Sequence, residues 1–196
     1  MRAFVTGLTC ITFVFVGGSP LQAHDVDKPA AAKALAVAAA FIDDFYSFNP
    51  VRLRAAMANA SGSTGDIVYY QGWAKAGNYV VLRRKPCHLD KPDEVSCGVT
   101  VKDDLAPALK ISYHVTDVFH LAFRDGRIVK VWNSSDDPPE FDEAMKWLHR
   151  TRPGVFTGPC RGMWKGGPTP GDCVRTIVAG FADYTAGHSH SNRKRP

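Results

Sequence analysis

The stretch Val118-Phe-His-Leu-Ala-Phe-Arg-Asp-Gly-Arg-Ile128 decides the fold class. Asp125-Gly126 lies between two apolar runs, the strongest short-range signal for a two-residue hairpin turn. The runs extend over Ile111 to Arg124 and Arg127 to Ser134, so two long antiparallel strands are expected. Pairing Arg124 with Arg127 sets Phe123 opposite Ile128, Phe119 opposite Trp132 and Asp117 opposite Ser134. One face then carries Tyr113, Val115, Phe119, Leu121, Ile128 and Trp132, with Lys130 snorkelling from beside Leu121 to a pocket mouth. The other face carries Val118, Ala122, Val129 and Val131 among His114, Thr116, His120 and Asn133. Both faces are partly apolar, so the reading covers one with helices and the other with a second copy of the chain, a homodimer.

Upstream of the hairpin, Val95 to Val101, Tyr79-Val-Val-Leu and Ile67-Val-Tyr-Tyr read as further strands, since β-branched and aromatic residues favour a pleated surface. Before them, Leu35, Ala38, Phe41, Ile42, Phe45 and Phe48 recur at three- and four-residue steps, which predicts an amphipathic helix over Pro29 to Phe48. Asn49-Pro50 then supplies the cap and first residue of a shorter helix reaching about Ala60. Ser61 to Gly65 is a connector; it has no phosphate-loop Lys and no nucleophile-elbow spacing. Downstream, Asp136-Asp-Pro-Pro-Glu opens a third helix with Phe141, Met145 and Leu148 inward. From Thr151 to Gly171 the composition turns to Gly and Pro, ending the compact domain. Asp172 caps a last short helix whose stripe of Val174, Ile177, Val178, Phe181 and Tyr184 must pack back on that domain. The polar tail 188–196 reads as disordered.

The chain begins as an address. Met1-Arg2 is a positive start, Ala3 to Val16 is uncharged and apolar, and Leu21-Gln22-Ala23 ends in a small residue, the order of a secretory signal peptide. The run is shorter than the ~20 apolar residues of a membrane span, so no stable anchor is expected after cleavage. Cleavage after Ala23 or near Val16-Gly17-Gly18 both fit. The organisation is thus a signal peptide at 1–23, a folded domain at 24–150 and an extension at 151–196, in a periplasmic or secreted protein.

Export makes disulfides the default for Cys87, Cys97, Cys160 and Cys173. Of three connectivities, Cys87–Cys97 and Cys160–Cys173 are favoured, because each pair flanks a short turn-rich segment. A zinc site using His88 beside Cys87 is the alternative, but no C-x-x-C pair exists and the spacing fits no zinc module. No metal and no cofactor are expected. The formal net charge of +5 invites a nucleic-acid reading. Of the 24 Lys and Arg, however, Arg2, Arg193, Lys194 and Arg195 lie in the leader and tail, and the rest nearly balance the 19 acids. A nucleic-acid binder needs basic residues on its folded surface, so that class is excluded.

Two patterns together, Phe41-Ile-Asp-Asp-Phe-Tyr-Ser-Phe-Asn-Pro50 with Leu53 and the hairpin Val118 to Ile128, resemble the NTF2-like superfamily, particularly its SnoaL-like and ketosteroid-isomerase-like members. The likeness spans about residues 31–150. It implies an α+β cone, in which N-terminal helices close the concave face of a curved antiparallel sheet around a pocket, often with a dimer across the convex face. Isomerase-like members carry a general-base carboxylate on the early strand after the second helix. Here that place holds Tyr70 or Gln71, which departs from the pattern. The fold supports no single reaction by itself.

Asp117 is the most informative residue. Strand alternation points it into the apolar face between Val115 and Phe119, where a carboxylate is costly unless paired or protonated, the environment that makes acids and bases. Tyr46, Tyr70, Trp73 and Tyr113 are candidates to line a pocket with it for a small apolar or aromatic ligand. Asp43 and Asp44 flank Tyr46 on the first helix, and at least one faces solvent. Two functions follow: an exported small-molecule-binding or envelope-interaction protein, or a lyase- or isomerase-type enzyme with Asp117 as its acid or base.

Overall fold

The structure, a computed structural model, describes residues 28–192 except residue 63, so the leader 1–23 and the last tail residues lie outside the described residues. It is an α+β arrangement around a curved five-stranded antiparallel sheet. Helix α1 (Lys28–Tyr46) buries Ala34, Ala38, Phe41, Ile42 and Phe45, the stripe its periodicity predicts. Helix α2 (Pro50–Ala56) is shorter than expected but starts where expected. The Asn49 side chain accepts from the Val51 and Arg52 amides at 3.0 and 3.3 Å, satisfying N–H groups that a helix start leaves open.

The first correction concerns Ile67-Val-Tyr-Tyr. It is no strand but lies in helix α3 (Thr64–Ala76), so Tyr70 and Gln71 stand on a helix, not on an early strand. The buried set Ile67, Tyr70, Gln71 and Ala74 has helical spacing, and α3 packs against the C-terminal helix. Tertiary packing here overrides β-propensity, which is weak and context-dependent. Gly72 makes the contact close, since a Cβ there would meet Pro170 Cγ at 2.6 Å.

Strands β1 (Val80–Arg84), β2 (His88–Lys91) and β3 (Glu94–Lys102) follow, then a turn of helix α4 (Leu105–Ala108) and the hairpin β4 (Thr116–Arg124) and β5 (Arg127–Ser135). The order is β1-β3-β4-β5, with β2 also on β3. The hairpin turns at Asp125-Gly126, and Arg124 pairs with Arg127 as predicted. The register then slips, because Ala122 pairs with Lys130 and Phe123 with Ile128, leaving Val129 as a bulge. One extra residue swaps every later side chain of β5 to the other face. Asp117 therefore faces Ser135, not Ser134, and Phe119 faces Asn133, not Trp132.

Two expectations fall with that register. Val131 is buried in the core instead of lying on the dimer face with Val118, Ala122 and Val129. Lys130 leaves Leu121 for the outer face, where its ammonium lies 5.0 Å over the Trp132 ring. Trp132 in turn stacks on His120 at 5.2 Å between centroids.

Helix α5 (Pro139–Thr151), the turn α6 (Gly154–Thr157) and helix α7 (Pro170–Asn192) complete the chain. Helix α7 is longer than the short helix expected, and its backbone continues through 188–192, which the tail reading made disordered. Its Cys173, Val174, Ile177 and Phe181 belong to the same core as Phe41, Phe119 and Trp73. The extension does pack back, on α3, α4 and α5. Both favoured disulfides, Cys87–Cys97 and Cys160–Cys173, are present. That removes the four thiolates that the zinc alternative needed.

Candidate functional site

Asp117 sits on β4 with none of its surface exposed. Three hydroxyls donate to its carboxylate: Tyr70 to Oδ1 at 2.6 Å, Ser135 to Oδ1 at 2.8 Å and Tyr46 to Oδ2 at 3.2 Å. Each donor arrives from a different element, α3, β5 and α1. The Val129 bulge brings Ser135 opposite Asp117, so the register slip completes the cluster. Burial pushes the Asp117 carboxyl up to about 6, although the three hydroxyls pull it back down. The same burial and the adjacent carboxylate hold the Tyr46 and Tyr70 phenols well above their ordinary range.

Beside this cluster opens a cavity of about 400 Å³, walled by Tyr70, Trp73, Tyr79, Trp132, Phe141 and Trp164. Asn133, Ser134 and Ser135 of the edge strand β5 form another side, and Asp66 and Asp137 supply its charge. Tyr70 and Ser135 belong to both the cavity wall and the Asp117 cluster. Asp117 itself stays behind them. A groove of about 520 Å³ on the other side of α3 is larger; seven of its thirteen lining residues are Gly or Pro, Arg54 and Lys75 supply its charge, and it does not touch the Asp117 cluster.

Trp164 comes from the Gly/Pro segment inside the Cys160–Cys173 loop. Its ring lies 4.7 Å from Trp73 and 5.8 Å from Tyr70, yet the residue is 42% exposed. Its backbone is left-handed, φ 60°, which a bulky residue adopts only when its surroundings hold it there. Gly162 and Gly166 take the same hand on either side, and Gly167 approaches so closely that a Cβ would meet the Arg161 carbonyl at 2.5 Å. A tight, disulfide-closed loop thus delivers one aromatic wall.

Of the five residues singled out in the sequence, Tyr70 and Trp73 line the cavity. Tyr46 and Asp117 form the cluster behind it. Tyr113 does not join them; its hydroxyl donates to the Asp136 carbonyl, and it borders a separate small void beside Pro138. Gln71 is structural, since its amide donates to the Asp44 and Phe45 carbonyls at the end of α1, at 3.0 and 2.9 Å. Asp43 and Asp44 make ion pairs with Arg84 and Arg52 near the surface. Sequence reasoning missed Tyr79, Asp66, Ser135, Asp137, Phe141 and Trp164.

On the outer sheet face Asp90, Glu94 and His120 each bring a possible ligand atom within 4.8 Å of the others. Protein groups already engage them. Lys91 pairs with Glu94 at 2.9 Å, the Ser96 hydroxyl bonds Asp90 and lies 2.9 Å from His120 Nδ1, and His88 reaches Asp90 at 3.1 Å. The row closes on itself as a hydrogen-bonded patch across β2, β3 and β4.

No family model, curated protein or solved structure matches this chain.

Proposed function

We propose that this is an exported, periplasmic or secreted, small-molecule-binding protein built on an NTF2-like cone, with its ligand in the aromatic cavity beside Asp117. The observation that carries the reading is the double role of Tyr70, which walls the cavity and donates to the buried Asp117 carboxylate. A cavity of about 400 Å³ falls within the ~300–1,000 Å³ usual for small-ligand sites, which are apolar with a few placed polar groups. The N-terminal helices before a curved antiparallel sheet support the cone, and two disulfides support export. Helix α3 stands where the superfamily pattern expects a strand and is this chain's own variation.

A second reading, a lyase or isomerase, is favoured by one feature: a carboxyl held near 6 can gain or lose a proton near neutral pH. Its proton would have to pass through the Tyr70 or Ser135 hydroxyl, because Asp117 does not border the cavity.

Native mass spectrometry of protein released gently from its own compartment tests binding. The expected spectrum carries a small-molecule adduct that Trp164→Ala loses or weakens at least tenfold, as removal of an aromatic wall implies. Wild-type protein at its bare mature mass, with no uptake from a metabolite extract, would overturn the reading.

A further inference from the structure

We propose that the ligand of this cavity is an organic cation, an amine or quaternary ammonium group on a small apolar or aromatic body. The inference rests on the small-molecule reading above and adds the sign of the charge.

The cavity lining contains two carboxylates, Asp66 and Asp137, and no Lys, Arg or His. Asp117 lies one layer behind through Tyr70 and Ser135, and Asp103 caps α4 through the Leu105 and Ala106 amides at 2.9 and 3.1 Å. Among the described residues no ion pair joins any of these four acids to a basic side chain. Lys130 stands 5.0 Å over the ring of Trp132, itself a lining residue, from the outer face of the sheet and so occupies that one wall, while the other rings carry no basic group of the lining. Asp117 and Asp103 already have hydroxyl and amide donors, but Asp66, half-buried, and Asp137, at the exposed rim, face the cavity without a basic partner, which a bound cation would supply. Desolvation and the neighbouring Asp117 and Asp103 raise the Asp137 carboxyl to about 6, which still leaves it mostly ionised at pH 7.

The walls select within the class of cations. Six aromatic residues line the space, three of them, Tyr70, Trp73 and Trp164, within 6 Å of one another by way of Trp164. Aromatic faces carry negative potential and attract cations lying within about 6 Å, the principle by which aromatic cages hold quaternary ammonium groups. A small hydrated metal ion would find few oxygen ligands on such walls. An anion would meet carboxylates and ring faces with no donor cation to receive it. Asn133 and Ser134 leave hydrogen-bonding groups for a hydroxyl or N–H elsewhere on the ligand.

The test is calorimetric titration of the full mature chain, disulfides intact, at pH 7.5. The probes are choline, its neutral carbon isostere 3,3-dimethylbutan-1-ol, 2-phenylethylamine and phenylacetate. The expected result is that at least one cation binds tenfold or more tightly than the neutral and anionic probes, in the range that cation–π contact with ion pairing gives. Asp137→Asn and Asp66→Asn should weaken cation binding several-fold and leave binding of the neutral isostere unchanged. Neutral or anionic probes binding as well as the cations would overturn the assignment of charge while leaving a ligand-binding cavity in place. If none of the four binds to folded protein, the charge assignment is overturned, and mass spectrometry then decides the broader reading separately.

Discussion

Asp117→Asn is expected to make the protein more stable than wild type at pH 7.5 and about equal to it at pH 4. The folded carboxyl titrates at about 6, above its ordinary value of 3.8. The folded state therefore holds the proton more tightly than the unfolded chain, and stability falls as pH rises from about 4 through about 6, then levels off. At 1.36 kcal/mol per pKa unit the loss is roughly 3 kcal/mol. Asn has no charge to desolvate. Its oxygen can keep the Tyr70 and Ser135 hydroxyls, and its amide can donate to Tyr46. The difference between variant and wild type should thus grow by roughly 3 kcal/mol across that window in urea unfolding, after which it is flat. Asp117→Leu should behave oppositely at low pH. It leaves the buried Tyr70 hydroxyl without its acceptor, a loss of about 1–3 kcal/mol. A pH-independent difference for Asp117→Asn would remove the near-neutral carboxyl from the account.

Opening Cys160–Cys173 with paired serines is the second large effect. The bond spans 13 residues and ties the segment before α7 to its first turn, with both cysteines buried. In the chain-entropy picture, releasing a loop of this length lowers stability by about 3 kcal/mol. The function should suffer too, since this loop seats Trp164 against Trp73 and Tyr70. Trp emission should shift to the red, and any cavity ligand should be lost while the sheet remains. Paired serines at Cys87 and Cys97 should leave that emission unchanged, because this bond fastens β2 to β3 away from the cavity. Equal spectral changes in both variants would contradict the role given to the loop.

The contrast between what was legible and what was not has physical causes. Helix α1, the Asn49 cap and the Asp125-Gly126 turn were readable because each is set by residues within one or two turns of chain. The inward aim of Asp117 was readable for a related reason: it precedes the turn, so alternation along β4 fixes its face whatever the partner strand does. The facing of β5 was not readable. No Gly or Pro marks the bulge at Val129, and one unmarked residue moved Val131 into the core and Trp132 out of it. Helix α3 was hidden because its β-rich tetrapeptide is helical only through its packing on α7, far along the chain. Trp164 was hidden by its setting, a Gly/Pro segment whose composition reads as the end of a domain and whose disulfide folds it back over the cavity.

The central claim, that Asp117 is a buried carboxylate coupled to an open ligand cavity through Tyr70, is tested most directly by following its carboxyl carbon in a ¹³C NMR pH titration. In ligand-free protein the account predicts a midpoint of about 6, and a different midpoint once the cavity is filled, because Tyr70 touches both. A midpoint near ~4, the value of a free Asp, that does not move when ligand is added would place the side chain in water and contradict it.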